Sequence, residues 1–223
     1  MKNRIKLADR VLPDYCTGEE IMNMVTHIVG GGLGVIALAL CVVKGWGRGP
    51  LDLAALILYG ISMIALYTMS SVYHGLRPGM GKKVMQVIDH CTIYLLIAGT
   101  STPIVLIAFL PVYPAIGWGL FALEWILAAL ATTLTAIDLK KYSALSMVFY
   151  IGLGWAVLPF IPQTIELMGM AGFGFLLAGG ISYTIGAVLV GIGSKVRWMH
   201  SVFHIFVVLG SLLQFLAIYL YVL

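Results

Sequence analysis

Runs of roughly 20 predominantly apolar residues follow one another along almost the whole chain, the length at which a helix rising 1.5 Å per residue crosses ~30 Å of hydrocarbon. Seven such runs fall at about residues 23–43, 53–73, 86–109, 117–137, 143–161, 171–192 and 198–221. Short connections punctuated by Gly and Pro separate several of them, at 45–50, 75–81, 111–114 and 159–169. A membrane β-barrel would instead show weaker alternating segments of about ten residues. The pattern predicts an all-α, polytopic membrane protein: a cytoplasmic amino-terminal segment over residues 1–22 and a seven-transmembrane helix bundle over 23–223. Composition agrees, because 61% of residues are hydrophobic and only 10% are charged, against about 25% charged in soluble domains. A soluble enzyme, a secreted disulfide scaffold and a disordered tail are thereby excluded. Three cysteines, Cys16, Cys41 and Cys91, give no disulfide framework, and no internal repeat divides the chain.

The first 20 residues lack the basic start and apolar core of a cleavable signal, so the first run is expected to remain as a span. Orientation follows from Lys and Arg. Eleven of the 13 (Lys2, Arg4, Lys6, Arg10, Arg77, Lys82, Lys83, Lys140, Lys141, Lys195 and Arg197) fall on one side of the seven-span reading. Only Lys44 and Arg48 fall on the other. The positive-inside rule puts the amino terminus in the cytoplasm and the carboxyl terminus outside, in a multi-pass protein of the inner plasma membrane. The net charge of +4 therefore reads as membrane orientation and not as nucleic-acid binding.

With that orientation all five histidines lie at cytoplasmic ends of spans, His27 and His90 at the start of spans one and three, His74 at the end of span two, His200 and His204 at the start of span seven. Asp89 shares their layer. His200 and His204 are four residues apart on one helix face, the spacing by which a helix offers two imidazoles to one metal ion. Ser70 stands at the same interval from His74, and Glu20, Asn23 and His27 share a face of span one. His74 with His200 and His204 makes a three-histidine site. For zinc this leaves a fourth position open to water, as in catalytic sites, where Asp89 can hold that water or orient an imidazole. His27 and His90 read as interfacial residues or as a fourth ligand.

These residues also carry a resemblance. Glu20-x-x-Asn23-x-x-x-His27, Ser70-x-x-x-His74, Asp89-His90 with the downstream segment from Ala98 to Pro103, and His200-x-x-x-His204 with the ending from Phe215 to Tyr221 resemble the bacterial haemolysin III proteins. That group lies within the progestin and adipoQ receptor family and a broader set of membrane hydrolases that includes alkaline ceramidases. The resemblance implies a seven-helix fold, a cytoplasmic-side zinc held by His74, His200 and His204, Asp89 reaching the metal through water, and Ser70 beside the site. Ser101 departs from the pattern, which has an aromatic before Thr102-Pro103. The departure leaves the ligands untouched and changes the lining of span three.

Other features weigh on function by exclusion. The glycines from Gly30 to Gly34 sit inside an apolar span with no Lys-Ser or Lys-Thr after them, so they read as close helix packing and not as a phosphate loop. Neither Gly-x-Ser-x-Gly nor His-Glu-x-x-His occurs. Glu124, an acid within span four, is either functional or held structurally by hydrogen bonds. Two functions remain. The first is a zinc-dependent hydrolase that attacks an amide or ester bond of a membrane lipid, ceramide-like in type, with Asp89 as base and Ser70 beside the oxyanion. The second is a non-enzymatic receptor, transporter or channel in which zinc pins helices together. An open fourth position beside Asp89 favours the first, because structural zinc sites more often close their shell with protein.

Overall fold

The computed structural model describes residues 5–193 and 196–223, all helices, turns and irregular segments with no strand among them. Helix α1 spans Thr17–Gly45, α2 Pro50–Gly75, α3 Met80–Pro103, α4 Pro114–Ile137, α5 Ser143–Gly154, α6 Ile161–Gly193 and α7 Met199–Tyr221. Proline opens α2 and α4, where its missing N–H costs nothing and its fixed φ suits the first turn. Pro103 ends the regular part of α3, and the next turn widens into a buried π-helix over Ile104–Phe109. Loss of one backbone donor is absorbed there by a change of hydrogen-bond register.

Among the described residues, six helical stretches are long and apolar enough to cross a membrane. The fifth and sixth runs expected from sequence fall in a single apolar stretch, Ser143–Gly191. That stretch is not straight. Helix α5 stops at Gly154, a 3-10 turn covers Leu158–Phe160, and inside α6 Gly169 adopts φ 70°, a conformation that glycine enters without a Cβ penalty. Helices α1 and α3 both begin six residues before their apolar runs, at Thr17 and Met80. The polar first turn of α1 is fixed by a side chain instead of by hydrocarbon: the Glu19 carboxylate accepts the Cys16 and Trp198 N–H groups at 2.9 and 2.6 Å.

The helices pack as a ring in chain order, closed by α7 against α1. Helices α1 and α2 approach closely through glycine, since a Cβ on Gly30 would meet the Tyr67 ring at 2.4 Å and one on Gly60 would meet Leu38 at 2.6 Å. The packing role read for the Gly30–Gly34 stretch thus falls on Gly30 and Gly34, while Gly32 faces open space. Tyr59, Met63 and Tyr67 of α2, Val105 and Phe109 after α3, and Ile218 of α7 form the buried core. Val25, Val29, Ile36 and Val43 on α1 are exposed apolar residues, as a surface facing lipid tails requires.

Charge separates along the bundle axis. Lys44 and Arg48 bond the carbonyls of Tyr219 and Leu223 at the end where α7 finishes. The opposite end carries Lys82, Lys83 and the segment before α1, which folds back over it: Ile5 N–H donates to Asp138, Arg10 to the Ile137 carbonyl, and Lys83 to the Ala8 carbonyl. Lys2, Arg4 and Lys195 of the basic set lie outside the described residues.

Candidate metal centre

Four helices meet at the end of the bundle that holds the histidines: the starts of α1, α3 and α7 and the finish of α2. The i, i+4 spacing on α7 turns His200 and His204 to one face, with their Nε2 atoms 3.0 Å apart. His74, from the last turn of α2, joins them, and one nitrogen from each of the three rings lies within 4.8 Å of the others. His74 and His204 are buried.

The outer nitrogens of two rings are already committed. His74 Nδ1 lies 2.7 Å from Glu20 Oε2. A carboxylate only accepts, so Nδ1 carries a proton, and in the neutral ring Nε2 is the bare nitrogen. His204 Nδ1 donates to the Asn23 carbonyl at 3.2 Å, which leaves its Nε2 bare by the same reasoning. Glu20 is itself held by Lys82, whose ammonium donates to Oε1 at 2.6 Å and to the Leu76 carbonyl at 3.0 Å. Ser201 donates to the Asn23 side chain at 2.6 Å. Metal-binding histidines typically have this arrangement, in which a carboxylate or carbonyl on the far nitrogen fixes tautomer and ring plane.

The residues fit a zinc ion on two observations. His74 Nε2 is buried without any hydrogen-bond partner, and such a group costs free energy unless something satisfies it. The His200 and His204 Nε2 atoms, 3.0 Å apart, repel when both are bare unless a proton or cation lies between them. Zinc–nitrogen bonds of ~2.0–2.1 Å at tetrahedral angles place ligand nitrogens roughly 3.3 Å apart.

Ser70 and Asp89 are brought to the same place. Both line a cavity of about 320 Å³ that also touches His27, His90, His200 and His204. The Ser70 hydroxyl is buried and unpartnered, and Asp89 is 8% exposed. His90 is drawn away from the trio, its Nδ1 bonded to the Gln86 carbonyl at 2.8 Å. His27 is buried with both ring nitrogens unpartnered and stacks on His204 with ring centroids 3.7 Å apart. It therefore packs flat against the His204 ring. Ser101 lines the cavity further along α3.

Three contributors escaped the sequence reading. Lys82 looked like one more loop cation, yet it is 3% exposed at the helix start. Ser201 was overshadowed by its neighbour His200. Tyr15 stacks on His200 at 5.0 Å between centroids and covers the trio from the end of the bundle. Burial, chiefly, with the nearby Glu20 charge, pushes its hydroxyl well above the ordinary tyrosine range, so it is neutral. Its position just before α1 was the one signal available.

Known proteins are similar to this chain over most of its length. Residues 16–215, which include every residue of the site except Tyr15, match the family model described as haemolysin-III related. Hemolysin-3 of Bacillus cereus is 34% identical over 92% of both chains. A hemolysin-3 homolog of Bacillus subtilis (strain 168) is 31% identical over 91% of this chain and 94% of its own. More distant is the human monocyte to macrophage differentiation factor, of the progestin and adipoQ receptor group, 25% identical over 74% of this chain and 68% of its own. With one family model spanning the bundle and two relatives aligned over nine-tenths of it, the chain belongs to the haemolysin-III-related family of membrane proteins.

Proposed function

We propose that this protein is a zinc-dependent hydrolase of the inner plasma membrane that cleaves an amide or ester bond of a lipid with a long acyl chain. It crosses the membrane seven times, with the histidine end and amino terminus in the cytoplasm and the carboxyl terminus outside. The break between α5 and α6 and the kink at Gly169 support two crossings within Ser143–Gly191, because ~30 Å of hydrocarbon needs only about 20 helical residues. The separation of Lys44 and Arg48 from the other described bases supports the orientation.

The observation that carries the reading is a convergence: bare imidazole nitrogens, an acid and an unpartnered hydroxyl meet at one end of a cavity whose remaining walls are mostly apolar. His74, His200 and His204 would hold zinc, with Glu20 and Asn23 fixing the first and last of these rings. When bound, zinc supplies a Lewis acid and lowers the pKa of water towards 7. The chain's own residues do the rest. Asp89 takes the proton from the water that adds to the carbonyl carbon and returns it to the departing nitrogen or oxygen. The Ser70 hydroxyl donates to the carbonyl oxygen as charge develops there. The apolar wall takes the acyl chain out of water, at about 0.8 kcal/mol per buried methylene.

Asp89→Asn tests this directly, since it keeps size and removes the base. Zinc-loaded protein in bilayers is given ceramides, other N-acyl amides and lysolipids, and free fatty acid is followed by mass spectrometry. Wild type releases fatty acid from at least one class, and Asp89→Asn is slower by ~10² or more with zinc retained. Equal release by both proteins, or none with any lipid, moves the function to a receptor, transporter or channel with structural zinc.

A further inference from the structure

The cavity has a second polar end that the proposed hydrolysis does not use. Along α3 its lining runs from Asp89 through Ile93 and Ile97 to Ser101, a rise of about 18 Å at 1.5 Å per residue. There the Ser101 hydroxyl donates to one oxygen of Glu124, an α4 side chain 1% exposed in the middle of the bundle. The other oxygen of Glu124 is buried with no partner. Gln214 of α7 repeats the situation: its amide nitrogen donates to the Leu176 carbonyl, while its Oε1 is buried and unpartnered. Gln214 lies ten residues beyond His204, about 15 Å along that helix. Both side chains line the same cavity as the histidines.

Two acceptor oxygens on side chains that line one cavity, each buried without a donor, cost free energy unless a ligand supplies one. We propose that Glu124 and Gln214 form a second polar subsite, which binds a hydroxyl carried on the chain of the lipid whose polar head sits at the histidines. The inference rests on the reading of that cavity as a lipid site and adds the class of lipid: an amphiphile hydroxylated far from its head. With carbon–carbon bonds of about 1.5 Å, an extended zigzag chain covers 15–18 Å in roughly 12 to 14 carbons. A hydroxyl that stops short of that distance would be stranded on the apolar wall.

The test is binding, not turnover. Zinc-loaded protein in detergent carries a fluorescent fatty acid, which is displaced by plain fatty acids of 8 to 16 carbons and by their ω-hydroxy counterparts. In wild type the ω-hydroxy acid should bind more weakly than its plain parent at 8 carbons. It should bind about tenfold more tightly near 12 to 14 carbons, the worth of one hydrogen bond to an otherwise unpartnered buried acceptor. Glu124→Leu should abolish the preference and leave zinc content intact. Gln214→Met should reduce it, and serves if Glu124→Leu does not fold. The wild-type length series decides even without either variant. Equal or weaker binding of the hydroxylated acid at every length overturns the subsite, whether or not the protein hydrolyses lipids. A preference that appears without turnover keeps the subsite and refutes hydrolysis. Failure of every fatty acid to displace the probe overturns both.

Discussion

Glu20 is the perturbation that best tests whether the histidine trio is a metal centre. Its carboxylate bridges His74 Nδ1 at 2.7 Å and the Lys82 ammonium at 2.6 Å. The His74 side chain is fully buried, and that of Glu20 is 20% exposed. Removing a partner of this kind from a metal-binding histidine costs 10- to 100-fold in affinity, about 1.4 to 2.7 kcal/mol. The two ends of that range correspond to two variants. Glu20→Gln keeps an oxygen that accepts from Nδ1 and loses only the charge, so zinc affinity should fall about tenfold. Glu20→Leu leaves the Nδ1 proton and the Lys82 ammonium without the carboxylate, lets the proton move to the nitrogen that faces the metal, and should approach the hundredfold loss. Competition between purified protein and a zinc chelator of known affinity measures both, with His204→Ala as the control that removes a ligand. Unchanged affinity in Glu20→Leu, beside a large loss in His204→Ala, would refute the role given to α1.

Purified protein should carry about one zinc, lost on acidification because the imidazoles must be neutral to bind it. His200→Ala and His204→Ala should each strip most of it, whereas His90→Ala, whose ring is bonded to the Gln86 carbonyl, should not. Elemental analysis of the three proteins decides. A reporter fused after Leu223 should read the outer compartment and one after Lys141 the cytoplasm; both on one side would break the topology. Gly30→Val should destabilise the bundle by about 1–3 kcal/mol, as overpacking does, because its first added carbon meets the Tyr67 ring at 2.4 Å. A thermal melt of the purified variant that matches wild type would show that α1 and α2 do not pack through this glycine.

The helices were legible because a spanning segment must be apolar over a fixed length, and that length is written directly in residues. Their ends were less so. A helix that continues beyond hydrocarbon is held by particular contacts, as the first turn of α1 is held by Glu19 on the N–H groups of Cys16 and Trp198, and apolarity says nothing about those. The break between α5 and α6 was visible as the Pro159–Gly169 connection, but the helix from Ile161 to the kink at Gly169 was not, since Pro162, Gln163, Thr164 and Glu166 make that stretch read as a polar loop. The π-helical turn after Pro103 depends on which carbonyls its neighbours leave free. Hydrophobic periodicity carries no such information.

The site divides along the same line. His200 and His204 were legible together because one helix sets their geometry, and Ser70 beside His74 for the same reason. What spacing cannot give is the register between helices, and the orientation of the site depends on it. Glu20, Asn23 and His27 were visible as one face of α1, yet the three have separate duties. Glu20 takes His74, on α2. Asn23 takes Ser201 with its side chain and His204 with its carbonyl, both on α7. His27 stacks on His204. Helix α1 thus supplies none of the three converging nitrogens and touches two of the three rings that do, so its polar stripe is what joins α2 to α7 at the histidine end of the bundle. Closing the helix ring and orienting the imidazoles are then one set of contacts. Damage to that stripe should show in metal affinity before it shows in the loss of helix.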